Sequence, residues 1–130
     1  MFDWNAIDTV LIDMDGTLLD LHFDNHFWLQ VVPQQLSLKR NISVDDANLL
    51  VKQAYLDVAG TLDWYCLDYW QGYLNLDILA LHHASADRIR IRQDSMPFLR
   101  ALAGASKQRI LFTNAHPQSL ALKLIHTNLD

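Results

Sequence analysis

A continuously apolar run, Thr9-Val10-Leu11-Ile12, leads directly into Asp13-Met14-Asp15-Gly16-Thr17-Leu18. Few folds accommodate that order. β-Branched and apolar residues without polar interruption fit a buried parallel strand, and the glycine four residues on lets the backbone turn sharply and approach a ligand closely. Ligands of open α/β sheets bind beyond the carboxyl ends of the strands, which is where Asp13 and Asp15 fall. Strand side chains alternate, so residues two apart project to one side and both carboxylates can face a common site. A solvated turn is the plain alternative for so short a motif. A calcium loop of the EF-hand type is a poor fit, since it needs ligands at its first, third and fifth positions and glycine at the sixth. Here Thr17 is fifth and Gly16 fourth.

The pattern recurs near the other end of the chain. Arg109-Ile110-Leu111-Phe112 is a second apolar strand, and it ends in Thr113-Asn114. Pro117 then suits the first turn of a helix whose apolar face is Leu120, Leu124 and Ile125. A hydroxyl, an amide and free backbone N–H groups at a strand-to-helix junction can cradle an anion, although Thr-Asn there can equally serve as a cap.

Between the two strands the spacing is helical. Ser43 starts the clearest helix, with Asp46 as capping partner and Gly60 as the stop, and Ala47, Leu50, Val51, Ala54, Tyr55 and Val58 recur at helical spacing. A second helix is expected from Leu62 to about Leu74, carrying Trp64, Tyr65, Tyr69, Trp70 and Tyr73. A third segment follows near Asp77 to His82, and a further helix starts at Ser95 and Pro97 and ends at Gly104. The chain thus divides into residues 1–19, the first strand and its loop; residues 20–92, a helical insertion; and residues 93–130, a helix, a strand and a helix. Aromatic rings at helical spacing usually pack, so most of the cluster is expected to be core of the insertion. Asp68 is harder to bury unpaired and is the better candidate to face a substrate or a cation.

These motifs resemble the haloacid dehalogenase (HAD) superfamily of phosphohydrolases. Asp13 to Leu18 matches its first motif and Thr113-Asn114 its second. Three blocks, 8–28, 62–70 and 107–117, resemble the GMP/IMP nucleotidase subgroup. The middle one, LDWYCLDYW, lies outside the shared catalytic motifs and is the most specific. The resemblance implies an α/β fold, a HAD-like Rossmannoid core with an inserted all-helical cap, and Mg²⁺-dependent hydrolysis of a phosphomonoester. Asp13 would be the nucleophile that forms an aspartyl-phosphate, and Asp15 the general acid and base. Mg²⁺ would be held by Asp13 and the backbone carbonyl of Asp15, and Gly16, Thr17, Thr113 and Asn114 would bind phosphate. Asp68 and Trp70 are the candidate cap contacts to substrate. A purine nucleoside monophosphate is the substrate the cap block implies; sugar phosphates and a phosphomutase reaction are alternatives. A phosphoacceptor signalling module fits less well, because such domains do not carry a helical cap directly after the acceptor strand.

The family also uses a lysine in a third motif and an acidic pair in a fourth. Sixteen residues follow Asn114, and the lysine among them, Lys123, lies on the helix immediately after the second motif, so the third-motif role is not carried over to it. The expectation is a C-terminally truncated core, catalytically weak on its own. Its exposed sheet edge would pair with a second copy of the chain or act as a binding module.

Composition sets outer limits. With 51% hydrophobic and 19% charged residues, 130 residues can bury a core. Asp3, Asn5 and Asp8 interrupt any signal sequence, no apolar run is long enough to span a bilayer, and the single Cys66 permits no intrachain disulfide. A cytoplasmic protein with no membrane partner is expected. A formal charge of −5 argues against a nucleic-acid polymer as partner, but not against a small phosphate ester, because a bound Mg²⁺ reverses the local field. His22 and His26 have helical spacing for a zinc pair but lack the intervening glutamate of a metalloprotease helix. His82 and His83 are sequence neighbours and cannot share a helix face, His116 and His126 read as capping or surface groups, and none of the four is assigned to metal.

Overall fold

The computed structural model describes residues 1–129, which fold as two compact units. The first comprises residues 1–21 and 90–113. Its strands, β1 (Thr9–Ile12) and β2 (Gln108–Leu111), pair in parallel with Thr9 opposite Gln108 and Ile12 opposite Leu111. Two flanking bonds extend the ladder, Gln108 N–H to the Asp8 carbonyl and Phe112 N–H to the Ile12 carbonyl, each 2.8 Å. Antiparallel neighbours can be joined by a tight turn, but parallel ones need a long crossover, and here everything from Asp13 to Lys107 supplies it.

Within this unit the helix Ser95–Gly104 packs against β2. Its first residue is an anchor: Ser95 is buried and its hydroxyl donates to the Leu18 carbonyl at 2.7 Å. Arg92 N–H also reaches that carbonyl at 3.0 Å, and Asp20 N–H reaches the Arg90 carbonyl at 2.9 Å. The loop after β1 is thereby tied to the returning chain. One expectation changes here. The strands read as continuously buried, yet Leu11 is 60% exposed and Phe112 68%, with Ile12 the buried member of β1. Burial on both faces needs layers over both, and among the described residues the sheet has two strands.

The second unit comprises residues 22–89 and 114–129 and is helical. Numbered along the whole chain, its helices are α1 (His22–His26), α2 (Val32–Arg40), α3 (Val44–Val58), α4 (Leu67–Leu74), α5 (Ile78–Ala84) and α7 (Pro117–Thr127); the helix Ser95–Gly104 of the first unit is α6. A π-helical segment, Phe27–Val31, joins α1 to α2. Pro33 lies two residues beyond it, in the first turn of α2, and has no N–H to give to the preceding turn, the circumstance in which a helix widens locally. The stretch after the first loop is thus helix, with Phe23 and Phe27 buried. α3 forms as its spacing dictates: the Ser43 hydroxyl accepts from Asp46 N–H at 3.0 Å, and Ala47, Val51, Ala54 and Tyr55 are buried. Past its end Gly60 takes φ +81°, a conformation that favours glycine.

The helix expected over residues 62–74 is broken. Leu62–Tyr65 is a 3₁₀ turn, Cys66 is extended, and α4 begins at Leu67. The break lets the indole N–H of Trp70 reach back to the Trp64 carbonyl at 3.1 Å while its ring packs edge-on against Tyr55 at 5.1 Å between centroids. Trp70 is 1% exposed and sits in one apolar cluster with Phe27, Leu36, Val51 and Ile78. It is a core residue, and the expectation that it touches substrate is corrected on that ground: its faces and its one donor are already used. Trp70→Ala is expected to destabilise the unit by about 3–5 kcal/mol through loss of burial and the cavity left behind. Urea denaturation of the variant measures this, and a change below about 1 kcal/mol would mean that the cluster collapses freely around the gap.

α7 differs from the sequence division. It packs against α5 and the 3₁₀ turn Ala86–Arg88, so residues 114–129 cluster with the inserted helices rather than with the strands. Its buried face is Ser119, Leu122 and Lys123. The Lys123 ammonium, 2% exposed, is 2.8 Å from the Asp24 carboxylate and 5.3 Å from the centre of the Phe23 ring. Buried charge needs such compensation. No helix among the described residues is long and apolar enough to cross a membrane.

Candidate active site

The carboxyl ends of β1 and β2 point the same way, so Asp13 and Thr113 leave the strand pair at one end of the first unit. Burial then alternates as a strand requires: Ile12 is 5% exposed, Asp13 exposed, Met14 fully buried and Asp15 half-buried. Met14 is the pivot of the loop. Its side chain anchors in the interior, while its carbonyl accepts the N–H groups of Thr17, Leu18 and Leu19 at 3.2, 2.9 and 2.9 Å. Gly16 N–H closes the turn onto the Leu19 carbonyl at 2.9 Å.

Gly16 has φ +77°, and a Cβ built there would lie 3.3 Å from the Leu21 side chain, so both backbone conformation and space favour glycine. The following Leu18 and Leu19 are buried and fix the loop from the other side. The Thr17 hydroxyl donates to Asp13 Oδ2 at 3.2 Å. That bond takes one carboxylate oxygen and leaves Asp13 exposed, which is the arrangement an oriented nucleophile or metal ligand needs. Thr17 therefore orients Asp13 through its side chain, a relation that four-residue spacing at a glycine turn did not predict. Thr113, half-buried, lies two residues past the end of β2 in the same unit, and the exposed Asn114 opens the segment that belongs to the second.

In the helical unit Asp68 is exposed, on the first turn of α4, and lies 3.3 Å from Nε2 of His116. The sequence left His116 as a cap or surface residue. It is indeed the N-cap of α7, its Nδ1 accepting from Gln118 N–H at 3.3 Å, and it also meets Asp68 across 48 residues of sequence. Such a pairing has no local signal. Of the two histidines at helical spacing, His22 lies 3.1 Å from the Arg88 guanidinium and its ring stacks with that of His26 at 6.4 Å.

No family model matches the chain. Two curated proteins named GMP/IMP nucleotidase YrfG, from Escherichia coli (strain K12) and Shigella flexneri, are each 53% identical to it over 127 residues, 98% of this chain and 57% of theirs. The chain therefore spans a little over half the length of these relatives. Among solved structures, a HAD phosphatase from Thermococcus onnurineus superposes with a TM-score of 0.78 at 25% identity, over 92% of this chain and 56% of that one. A helix-rich chain with a small parallel sheet is consistent with an incomplete α/β core of this phosphatase type. The chain is thus similar in fold to a haloacid dehalogenase phosphatase and in sequence to the GMP/IMP nucleotidases, the second likeness running over nearly its whole length.

Proposed function

We propose that this chain provides the nucleophile, the acid–base carboxylate and part of the phosphate cradle of a Mg²⁺-dependent phosphomonoesterase acting on purine nucleoside monophosphates. The observation that carries the reading is the Asp13 loop. It presents an exposed carboxylate, oriented by Thr17, at the carboxyl end of a parallel strand and beside a half-buried second carboxylate. The relatives' names supply the substrate class.

The chemistry follows from the two environments. Asp13 attacks phosphorus and forms an aspartyl-phosphate as the bond to the leaving alkoxide breaks. Asp15 protonates that alkoxide, then takes a proton from the water that cleaves the acyl phosphate. Thr113 and Asn114 are the groups that would hold the peripheral phosphoryl oxygens as charge moves; the Gly16 and Thr17 N–H groups, expected to share that role, are used in closing the loop onto the Leu19 and Met14 carbonyls. The donors available for a metal, the Asp13 carboxylate and the Asp15 backbone carbonyl, are hard oxygens and suit Mg²⁺. A bound Mg²⁺ would offset repulsion between the anionic nucleophile and the phosphate dianion. In the helical unit, exposed Asp68 is the residue proposed to act on substrate choice. Exposed Leu11 and Phe112 favour a second proposal, that the strand pair meets another apolar surface, such as that of a second copy.

Phosphate release from GMP, IMP, several sugar phosphates and p-nitrophenyl phosphate tests the reading. It is measured on the chain and on a protein that carries it at the full length of its relatives. The purine nucleotides are expected to have the highest kcat/KM. Asp68→Ala is expected to lower kcat/KM for GMP by about tenfold or more relative to p-nitrophenyl phosphate, because a remote contact acts only on the larger substrate. Equal losses on both would assign Asp68 to the folding of the helical unit alone.

A further inference from the structure

Cys66, Asp68 and His116 come from three separate positions, the extended residue before α4, the first turn of α4 and the N-cap of α7. One donor atom from each lies within 4.8 Å of the other two. We propose that these three side chains form a zinc-type metal site in the helical unit, distinct from the oxygen donors around Asp13 and sharing Asp68 with the substrate contact proposed above.

The donor chemistry makes the first part of the case. A thiolate, an imidazole and a carboxylate together prefer Zn²⁺ and its neighbours to Mg²⁺, which takes oxygen ligands. Geometry makes the second. Two bonds of about 2.0 Å at a tetrahedral angle place their ligand atoms about 3.3 Å apart. Asp68 Oδ2 and His116 Nε2 are separated by 3.3 Å. The Cys66 sulfur must close to roughly 3.6 Å from each, given a Zn–S bond of about 2.3 Å. From within 4.8 Å that is a movement on the order of 1 Å.

Pre-organisation makes the third. Cys66 is held by its N–H to the Asp63 carbonyl at 3.1 Å and by its carbonyl to Trp70 N–H at 3.2 Å. Asp68 is fixed to the first turn of the helix that buried Trp70 anchors. His116, with 14% of its side chain exposed, is held by the segment that starts α7. Three protein ligands and an exposed Asp68 leave a fourth position to water or to an added ligand, the arrangement of an open zinc site. Ligation through Nε2 puts the proton of His116 on Nδ1, so the metal displaces the Gln118 N–H from its acceptor. That weakens one helix cap while joining the start of α4 to the segment two residues beyond Asn114.

The test uses the chain without an affinity tag. Titration with Co²⁺ is expected to give a thiolate-to-metal charge-transfer band together with tetrahedral visible bands, both abolished by one equivalent of Zn²⁺ and unaffected by millimolar Mg²⁺. Cys66→Ser is expected to remove the charge-transfer band and weaken Zn²⁺ binding by about 100-fold or more, and His116→Gln to weaken it similarly. Asp13→Asn is expected to leave both intact. Zn²⁺ should raise the thermal midpoint of the wild-type chain but not of Cys66→Ser, which retains the native polar contacts of its backbone and so reports on folding separately. A Co²⁺ complex without the thiolate band, or a Zn²⁺ affinity unchanged by Cys66→Ser, would overturn the site and leave a hydrogen bond between Asp68 and His116.

Discussion

Asp13→Asn is expected to reduce phosphate release by about four orders of magnitude or more when the substitution is made in a protein carrying this chain at the full length of its relatives. The amide keeps the size of the carboxylate and can still accept from the Thr17 hydroxyl, which lies 3.2 Å from Oδ2 in the native loop. What it lacks is nucleophilicity, so no aspartyl-phosphate can accumulate. Acid quenching during turnover of a labelled substrate should trap phosphoprotein in the wild type and none in the variant. Asp15→Asn has a different signature. It removes a proton donor and acceptor rather than the attacking atom, and both steps should slow by about 10²–10⁴-fold with Mg²⁺ affinity largely kept. Undiminished turnover in Asp13→Asn would remove that residue from the mechanism, and equal loss of metal affinity in both variants would contradict the division of roles.

The second large effect is on stability in mild acid, and it comes from His82. This residue lies on α5, is 1% exposed, and is ringed by Phe27, Phe23 and Trp28 at centroid distances of 4.2, 5.1 and 6.0 Å. Its Nδ1 has no hydrogen-bond partner, and its Nε2 is 3.5 Å from the Ser119 hydroxyl of α7. Burial first, and then the nearby charges of Lys123, His83 and His116, lower its pKa from 6.5 to about 3. The folded protein therefore keeps the ring neutral where the unfolded chain would protonate it.

Above pH 6.5 neither state binds the proton, and the contribution to stability is fully present. As the pH falls from there towards 3, the unfolded state takes up a proton that the folded state refuses. Stability declines by about 1.4 kcal/mol per pH unit, to a limit of about 5 kcal/mol. Urea denaturation at pH 7.5 and pH 5 should show a loss of about 2 kcal/mol from this residue. His82→Leu should flatten the profile over that range, since it removes the titrating group and the unpartnered nitrogen together. An identical slope in wild type and variant would mean that protonated His82 is accommodated inside the fold.

The parts of this molecule that were legible in the sequence are those set by a few adjacent residues. Asp13 to Gly16 specify a strand end and a turn whatever surrounds them, because alternation and the φ +77° of Gly16 are local properties. Ser43 and Asp77 cap their helices for the same reason, each accepting from an N–H three residues on. Three helix ends carried a local signal that the sequence reading left unused. Asn41, Asn75 and Asn128 each take a left-handed conformation just past a helix, as asparagine does more readily than most residues.

Tertiary structure decided the rest. Nothing near Cys66 in sequence stops a helix, but the Trp70 indole needs a carbonyl and a cavity, and the break at Cys66 provides the first while α3 helps to form the second. Lys123 sits on an ordinary amphipathic helix, and the approach of Asp24, 99 residues away, helps to make its burial tolerable. His82 and His83 are neighbours with the same chemistry, yet one is buried and the other exposed. Asp68 meets His116 only because α4 and the start of α7 belong to the same folded unit. Propensity, caps and alternation act through bonds within a turn or two of the chain, so one sequence suffices to read them. Burial and charge pairing are properties of the enclosed space, and that space exists only after distant segments have come together.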